Sequence, residues 1–249
     1  MQRMILCSLG RRNCRQASTL VSKLDTAVKD LPHREAVRYT DKNVKWSAHE
    51  FNAHVDGHAQ ALLDYGFSPG IPILNWMHDN KVKHVSLLSA AKLGLQVTEM
   101  DGAINTVAEV RKVLALSNCR MVVFDPDSEG VNRLELLRMA IPEFYHYDDE
   151  MGQWFHSKHY PNLKFFLHSG FDIEVGCLNF KRCFNYSQNK KQLEEIKDSL
   201  TDDMPLYRKV SRGADGNLEV SEMYSHKDVY KNKLWGFADK MANKEYFEL

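Results

Sequence analysis

Residues 71–124 read IPILNWMHDNKVKHVSLLSAAKLGLQVTEMDGAINTVAEVRKVLALSNCRMVVF. Three short strands are expected: Ile71–Trp76, Leu95–Glu99 and Met121–Phe124. The first has the length and composition of a buried strand. Two helical stretches separate them. The first runs from about Asn80 to Leu93 and is stopped by Gly94. The second opens on Thr106-Val107-Ala108-Glu109, a capping box, and runs through Leu116. Strand, helix, strand, helix, strand at this spacing predicts a βαβαβ unit, and so a parallel sheet with right-handed crossovers.

Upstream, Leu20–Leu31 predicts a short amphipathic helix ended before Pro32. Ala36–Tyr39 and Val44–Trp46 flank Asp41-Lys42-Asn43 as a β-hairpin. Ser47-Ala48-His49-Glu50 is another capping box, followed by Phe51, Val55, His58, Leu62 and Leu63 at helical spacing and by Gly66 as a stop. Downstream come a helix over Gly130–Ala140, an aromatic and charged loop over Tyr145–Tyr160, a strand over Leu163–His168 and a helix over Lys190–Leu200. Leu206–Val210 and Leu218–Val220 flank a glycine-containing turn, and Ser225 caps a last helix to about Lys244, with Gly236 as its weak point. The expected organisation is one α/β domain over residues 32–249, mostly parallel sheet with flanking helices, behind an N-terminal extension of residues 1–31.

The chain has 249 residues, with 33 Lys+Arg against 33 Asp+Glu and 43% hydrophobic residues. That apolar content with zero net charge marks a globular chain. A dedicated nucleic-acid binder should be basic, so no nucleic-acid partner is expected. No apolar run approaches the roughly 18 residues of a membrane-spanning helix. The five cysteines are odd in number, irregularly spaced and without a CxxC pair, which predicts reduced thiols and no structural zinc. Residues 1–24 carry Arg3, Arg11, Arg12, Arg15 and Lys23, with several hydroxyls and no acid before Asp25. This is the composition of a mitochondrial targeting segment and predicts a mitochondrial location, on the matrix side or peripheral to the inner membrane.

A series of residues then falls in a familiar order. Lys45-Trp46 stands at the hairpin end; Ala59, Leu62, Leu63 and Gly66 mark a helix and its stop; Pro69-Gly70 form a turn, with Ile71 in place of a usual Asp. Asp79-Asn80 precede a helix that closes in Ala90-Ala91-Lys92-Leu93-Gly94. Asn105, Glu109, Leu114 and Ser117 match the next helix, and Met121-Val122-Val123 the strand after it. Tyr160-Pro161-Asn162-Leu163-Lys164 and Gly170 follow. Over residues 34–245 this order resembles the N-terminal portion of the adenylate-forming, AMP-binding (acyl-CoA synthetase-like) family. The resemblance implies the fold of that N-terminal subdomain.

The resemblance breaks at the phosphate loop, which the family writes Thr-Ser-Gly-Thr-Thr-Gly-x-Pro-Lys. Here the stretch is Ser211-Arg212-Gly213-Ala214-Asp215-Gly216-Asn217-Leu218-Glu219. Gly213 and Gly216 keep the glycine positions. Ala214 and Asp215 replace the threonines, Leu218 the proline and Glu219 the lysine. A triphosphate needs backbone N–H groups, hydroxyl donors and a cation. Two like charges about 4 Å apart repel by roughly 1 kcal/mol in water and several-fold more in a cleft. The degenerate loop of Gly213, Asp215, Gly216 and Glu219 is therefore not expected to bind ATP in the family's manner, with Arg212 offering partial compensation at most. The family's adenine-binding segment, ribose-binding Asp and C-terminal domain with its catalytic Lys lie beyond the matched region. The resemblance thus implies a truncated, non-enzymatic chain with no cofactor and no carried-over catalytic residue.

Other patterns point less far. Glu50, His54 and His58 share a helix face, but the metalloprotease order is absent, so core or surface roles are expected and no metal. His156 and His159 are an equally weak metal signal. Cys177 and Cys183 have no neighbouring base. The aromatics of Phe144–Tyr160 fit either a binding patch or burial under the sheet, and the basic, aromatic segment Lys227–Lys244 fits a partner, a lipid surface or a solvated face. The expected role is a structural accessory subunit of a large mitochondrial inner-membrane assembly, ATP synthase or a respiratory complex first, with other protein subunits as partners and lipid at either terminal helix. The alternatives are an acyl- or CoA-binding module, or half of a split acyl-CoA ligase, and then a mitochondrial ribosome accessory protein.

Overall fold

The computed structural model describes residues 18–40, 43–128, 130–149 and 154–249. The basic stretch 1–17, on which the targeting expectation mostly rests, lies outside the described residues, as do Asp41 and Lys42 of the expected hairpin turn. In chain order the elements are α1 (Thr19–Asp30), β1 (Glu35–Tyr39), β2 (Val44–Ser47), α2 (Ala48–Asp64), β3 (Pro72–Trp76), α3 (Lys81–Leu93), β4 (Gln96–Met100), α4 (Val107–Ser117) and β5 (Met121–Phe124). A small hairpin of β6 (Asp127–Ser128) and β7 (Val131–Asn132) leads into α5 (Arg133–Ala140) and α6 (Pro142–Tyr145). Then follow β8 (Phe165–His168), β9 (Leu178–Asn179), α7 (Lys190–Ser199), β10 (Pro205–Arg212), β11 (Leu218–Val220), β12 (Tyr224–Ser225), α8 (His226–Lys231), α9 (Gly236–Ala242) and β13 (Phe247–Glu248).

The central sheet runs β11-β10-β4-β3-β5-β8-β9, with β12 also paired to β10. From β10 to β9 every neighbouring pair is parallel, and β11 and β12 are antiparallel additions to β10. Both faces are covered, which explains the continuous apolar runs. Ile73, Val123 and Leu167 point into one core with residues of α1, α2, α3, α7 and α9. Leu74, Val122 and Phe166 point into a second core under α4, α5 and α6. No helix among the described residues is long and apolar enough to cross a membrane.

Local chemistry sets the element ends where expected. Both capping boxes close, Ser47 with Glu50 and Thr106 with Glu109. Gly94 ends α3 at φ +66°, where an L side chain is disfavoured and a Cβ would meet Leu200 at 2.7 Å.

Two expectations need correction. The helix predicted over Gly130–Ala140 begins only at Arg133, because Val131 and Asn132 pair back onto Asp127 and Ser128. The single last helix predicted from Ser225 to Lys244 is two. Lys233 takes φ +53°, Leu234 N–H donates to Val229 O, and Trp235 turns inward to meet Tyr207 edge-on at 5.6 Å. Burying that indole outweighs helix continuity. Trp235 and Phe237 are both buried, so the apolar side of this segment faces the chain's own core.

Candidate functional site

The strand β3 lies between its two successors. The chain leaves β3 for β4 on one side, then crosses back to β5 on the other. Ligands of open α/β sheets bind outside the carboxyl ends of the strands where this reversal occurs. Three residues stand there: His78 just beyond β3, Asp125 directly after β5 and Ser169 directly after β8.

Asp125 is the hub. Only 4% of its side chain is exposed. Its Oδ2 accepts from the His78 backbone N–H at 3.0 Å and from His78 Nδ1 at 2.5 Å. Its Oδ1 accepts from Asn80 Nδ2 at 3.2 Å and from the Ser169 hydroxyl. Arg133, fully buried, places Nη1 3.4 Å from Oδ2 and 3.3 Å from Trp76 O. A buried carboxylate needs such compensation. A carboxylate only accepts, so the His78 proton sits on Nδ1 and Nε2 is the acceptor nitrogen of the neutral ring. The His78 side chain remains 44% exposed.

The three residues open into a cleft of about 860 Å³. Tyr39, Trp46, Val82, Val85, Phe180 and Phe184 give it an apolar lining, and Lys81, Asp127, Asp172, Glu174 and Lys181 line it as well. Asn80, Lys81 and Val82 bring the N-terminus of the 13-residue helix α3 to the same cleft. A second recess of about 700 Å³ lies across the sheet against β10. It holds Lys83, paired with Asp79 at 2.7 Å and Glu99 at 3.0 Å, and Tyr207, whose hydroxyl donates to Glu99 at 2.9 Å. Burial pushes the Tyr207 hydroxyl well above its usual range.

Gly213, Asp215, Gly216 and Glu219 lie together at the tight β10–β11 hairpin. Gly213 N–H donates to Asn217 O at 2.7 Å and Gly216 N–H to Gly213 O at 3.0 Å. Asp215 accepts from the Asn217 side chain and backbone at 2.7 and 2.9 Å, and these hydrogen bonds hold its carboxyl below the usual range. Gly216 stands at φ +82°, and a Cβ on Gly213 would collide with the Glu219 carboxylate. The N–H groups of Gly213, Gly216 and Asn217 are thus engaged inside the turn. Arg212 is not available to compensate: it binds Glu109 through two nitrogens at 2.6 and 2.9 Å, and this pairing pulls the Glu109 carboxyl down to about 2.

The structure separates Glu50, His54 and His58. His58 is fully buried with Nδ1 2.9 Å from Cys183 O, and burial lowers its pKa to about 4. His54 lies against Trp46, ring centres 4.5 Å apart and planes tilted by 43°, on the cleft wall. His156 has the Lys164 ammonium 3.2 Å from Nδ1, while His159 lies against Tyr160 and Leu163 in a separate small recess. Among the described residues no group of three or more His, Cys, Asp or Glu is arranged to hold a metal. Cys119 and Cys183 are buried thiols pushed up to about 11 and 12, and Cys177 rises further. Phe144 and Phe155 are buried, whereas Tyr145 and Trp154 are exposed.

His78, Asp125 and Ser169 were not singled out by the sequence reading. Their signal was positional, since each falls one or two residues past the end of a strand in a βα series.

In sequence, the chain matches no protein-family model and no curated protein. In structure it resembles adenylate-forming ligases. The luciferase-like enzyme of the nonluminescent mealworm Zophobas morio superposes with a TM-score of 0.69 at 12% identity, over 95% of this chain and 55% of that one. MbtA of Mycobacterium smegmatis gives 0.68 at 15% identity, over 95% and 44%. A Mycobacterium tuberculosis fatty acyl CoA synthetase gives 0.61 at 13% identity, over 92% and 44%. The fold is thus the α/β architecture of the N-terminal subdomain of these enzymes, and the chain spans about half the length of the structures it resembles.

Proposed function

We propose that this chain is an acyl-ligand-binding module built on the adenylate-forming fold, with no adenylating chemistry of its own. The observation that carries the reading is the cleft at the strand reversal, where apolar lining from Tyr39, Trp46, Val82, Val85, Phe180 and Phe184 meets the polar group of His78, Asn80, Asp125 and Ser169 and a charged rim of Lys81, Asp127, Asp172, Glu174 and Lys181. Such a shape suits a ligand with an apolar tail and a polar acyl head, free or carried on CoA. The β10–β11 hairpin supports the second half of the proposal, because its glycine N–H groups bond within the turn. The same cleft serves equally as the acyl side of a ligase whose nucleotide groups come from a second polypeptide.

Calorimetry on the full chain tests this. Binding of medium- or long-chain acyl-CoA without binding of ATP is the expected result. ATP binding, or ATP–pyrophosphate exchange by the purified chain, overturns it.

An accessory role in a mitochondrial inner-membrane assembly is retained as a second proposal on the acid-free, arginine-rich composition of residues 1–24. Comigration of the native protein with a megadalton mitochondrial complex supports it. Migration as a free monomer removes it.

A further inference from the structure

We infer that two copies of this chain associate through the segment between β8 and α7, in a two-fold dimer whose interface takes in the mouth of the cleft. The inference concerns a surface and does not depend on which ligand the cleft holds.

The first observation is exposed apolar surface. Phe171, Ile173, Val175 and Tyr186 all belong to this segment, and Trp154 joins them by lining the same recess as Ile173 at the β8 edge. Their exposure runs from 42% for Val175 to 85% for Phe171. Single exposed apolar residues are ordinary on a protein surface, but a group of this size marks an interaction site. Together they leave on the order of 500 Å² uncovered. That is most of the roughly 800 Å² that each partner brings to a standard interface.

The second observation is that these side chains are held outward. Asn179 Nδ2 donates to Gly170 O at 3.1 Å and to Asp172 O at 3.2 Å, which fastens the backbone on either side of Phe171. Lys181 Nζ lies 3.8 Å from the centre of the Phe171 ring. Tyr186 stacks on Phe184, ring centres 5.9 Å apart and planes within 8°. A surface ordered in advance loses less entropy on association. Phe171, Asp172, Glu174, Lys181 and Tyr186 also line the cleft, so a second copy seated on this face covers the cleft mouth.

Charge selects the occupant. Asp172 and Glu174 alternate with the exposed apolar residues, and Lys181 and Arg182 follow a few positions later. Among the described residues none of these four forms an ion pair. A basic partner would set its cations against Lys181 and Arg182. An acidic protein, a nucleic acid or an anionic membrane would set negative charge against Asp172 and Glu174. A second copy related by a two-fold axis does neither. It lays the acids of each copy on the cations of the other, twice over, around a shared apolar centre.

The experiment is sedimentation velocity on the full chain at micromolar concentrations. A concentration-dependent dimer is the expected result, with Ile173→Asp raising its dissociation constant about 30-fold. Two charge-reversed chains complete the test, one carrying Asp172→Lys with Glu174→Lys and the other Lys181→Glu with Arg182→Glu. Each alone should sediment as a monomer, and an equal mixture of the two should dimerise again, which also shows that both are folded. A monomer at every concentration overturns the inference, as does a dimer that Ile173→Asp leaves unchanged. A mixture that stays monomeric overturns it too, because the two-fold pairing of charges is then absent. None of these outcomes bears on ligand binding by the cleft, which calorimetry reads separately.

Discussion

Lys92 Nζ lies 2.6 Å from Asp56 Oδ1, with 1% of the lysine side chain exposed. This buried ammonium is where four helices meet. It reaches from α3 to Asp56 and Asn52 of α2 and, at 3.1 Å, to Asp25 of α1, which in turn binds Lys197 of α7 at 2.6 Å. Helix α1 is therefore tied to the domain by charge as well as by its buried Leu20, Val21 and Leu24. Lys92→Met would strip Asp56 of its ammonium and leave Asp25 with Lys197 alone, and removing one partner of a buried pair costs about 3 kcal/mol. Urea unfolding should show a loss of that order. An unchanged midpoint would falsify the claim that Lys92 organises this corner.

Acid should weaken the fold in two stages. His58, His84 and His226 are buried and neutral, and burial lowers their pKa values to about 4, 3 and 4 against 6.5 for the free side chain. Below pH 6.5 the unfolded chain takes up protons that the folded chain refuses, so each histidine removes about 1.4 kcal/mol per pH unit until its folded pKa is reached. Asp25 acts later. Burial alone would raise it, but Lys92 and Lys197 outweigh burial and lower it below 3.8. Its contribution is present above pH 3.8 and is lost as pH falls through the lowered value. Unfolding midpoints measured across pH should begin to fall near pH 6. A flat profile down to pH 4 would contradict this.

The hairpin loop should resist repair. In Asp215→Thr with Glu219→Lys, the hydroxyl and cation return, yet Gly213 and Gly216 still donate into the turn at 2.7 and 3.0 Å. No ATP binding is expected by calorimetry. Micromolar affinity in this double variant would show that side-chain charge alone had disabled the site.

Cleft occupancy predicts a chain-length dependence. Each buried methylene is worth about 0.8 kcal/mol, so two added carbons should tighten acyl binding roughly tenfold until the cleft is full. Phe184, packed on His58 and Phe180 along the wall, is the residue to truncate. Phe184→Ala should weaken binding of the longer chains by about tenfold and leave the shortest nearly unaffected. Equal affinity across a chain-length series would show that the tail lies outside the cleft.

The sequence alone determined the local elements and the class of fold. Ile71–Trp76 and Met121–Phe124 are apolar throughout because both faces of a central parallel strand are covered, and the capping boxes at Ser47 and Thr106 are complete within four residues. Composition and spacing sufficed there because the interactions are near in the chain. Tertiary structure alone decided what depended on distant partners. Trp235 broke the last helix because Tyr207 offered it a buried face, and Phe247–Glu248 became a strand because β1 had a free edge. The candidate site belongs to this second kind. His78, Asp125 and Ser169 are separated by 47 and 44 positions, and only the reversal of strand order at β3 makes one carboxylate the partner of all the rest.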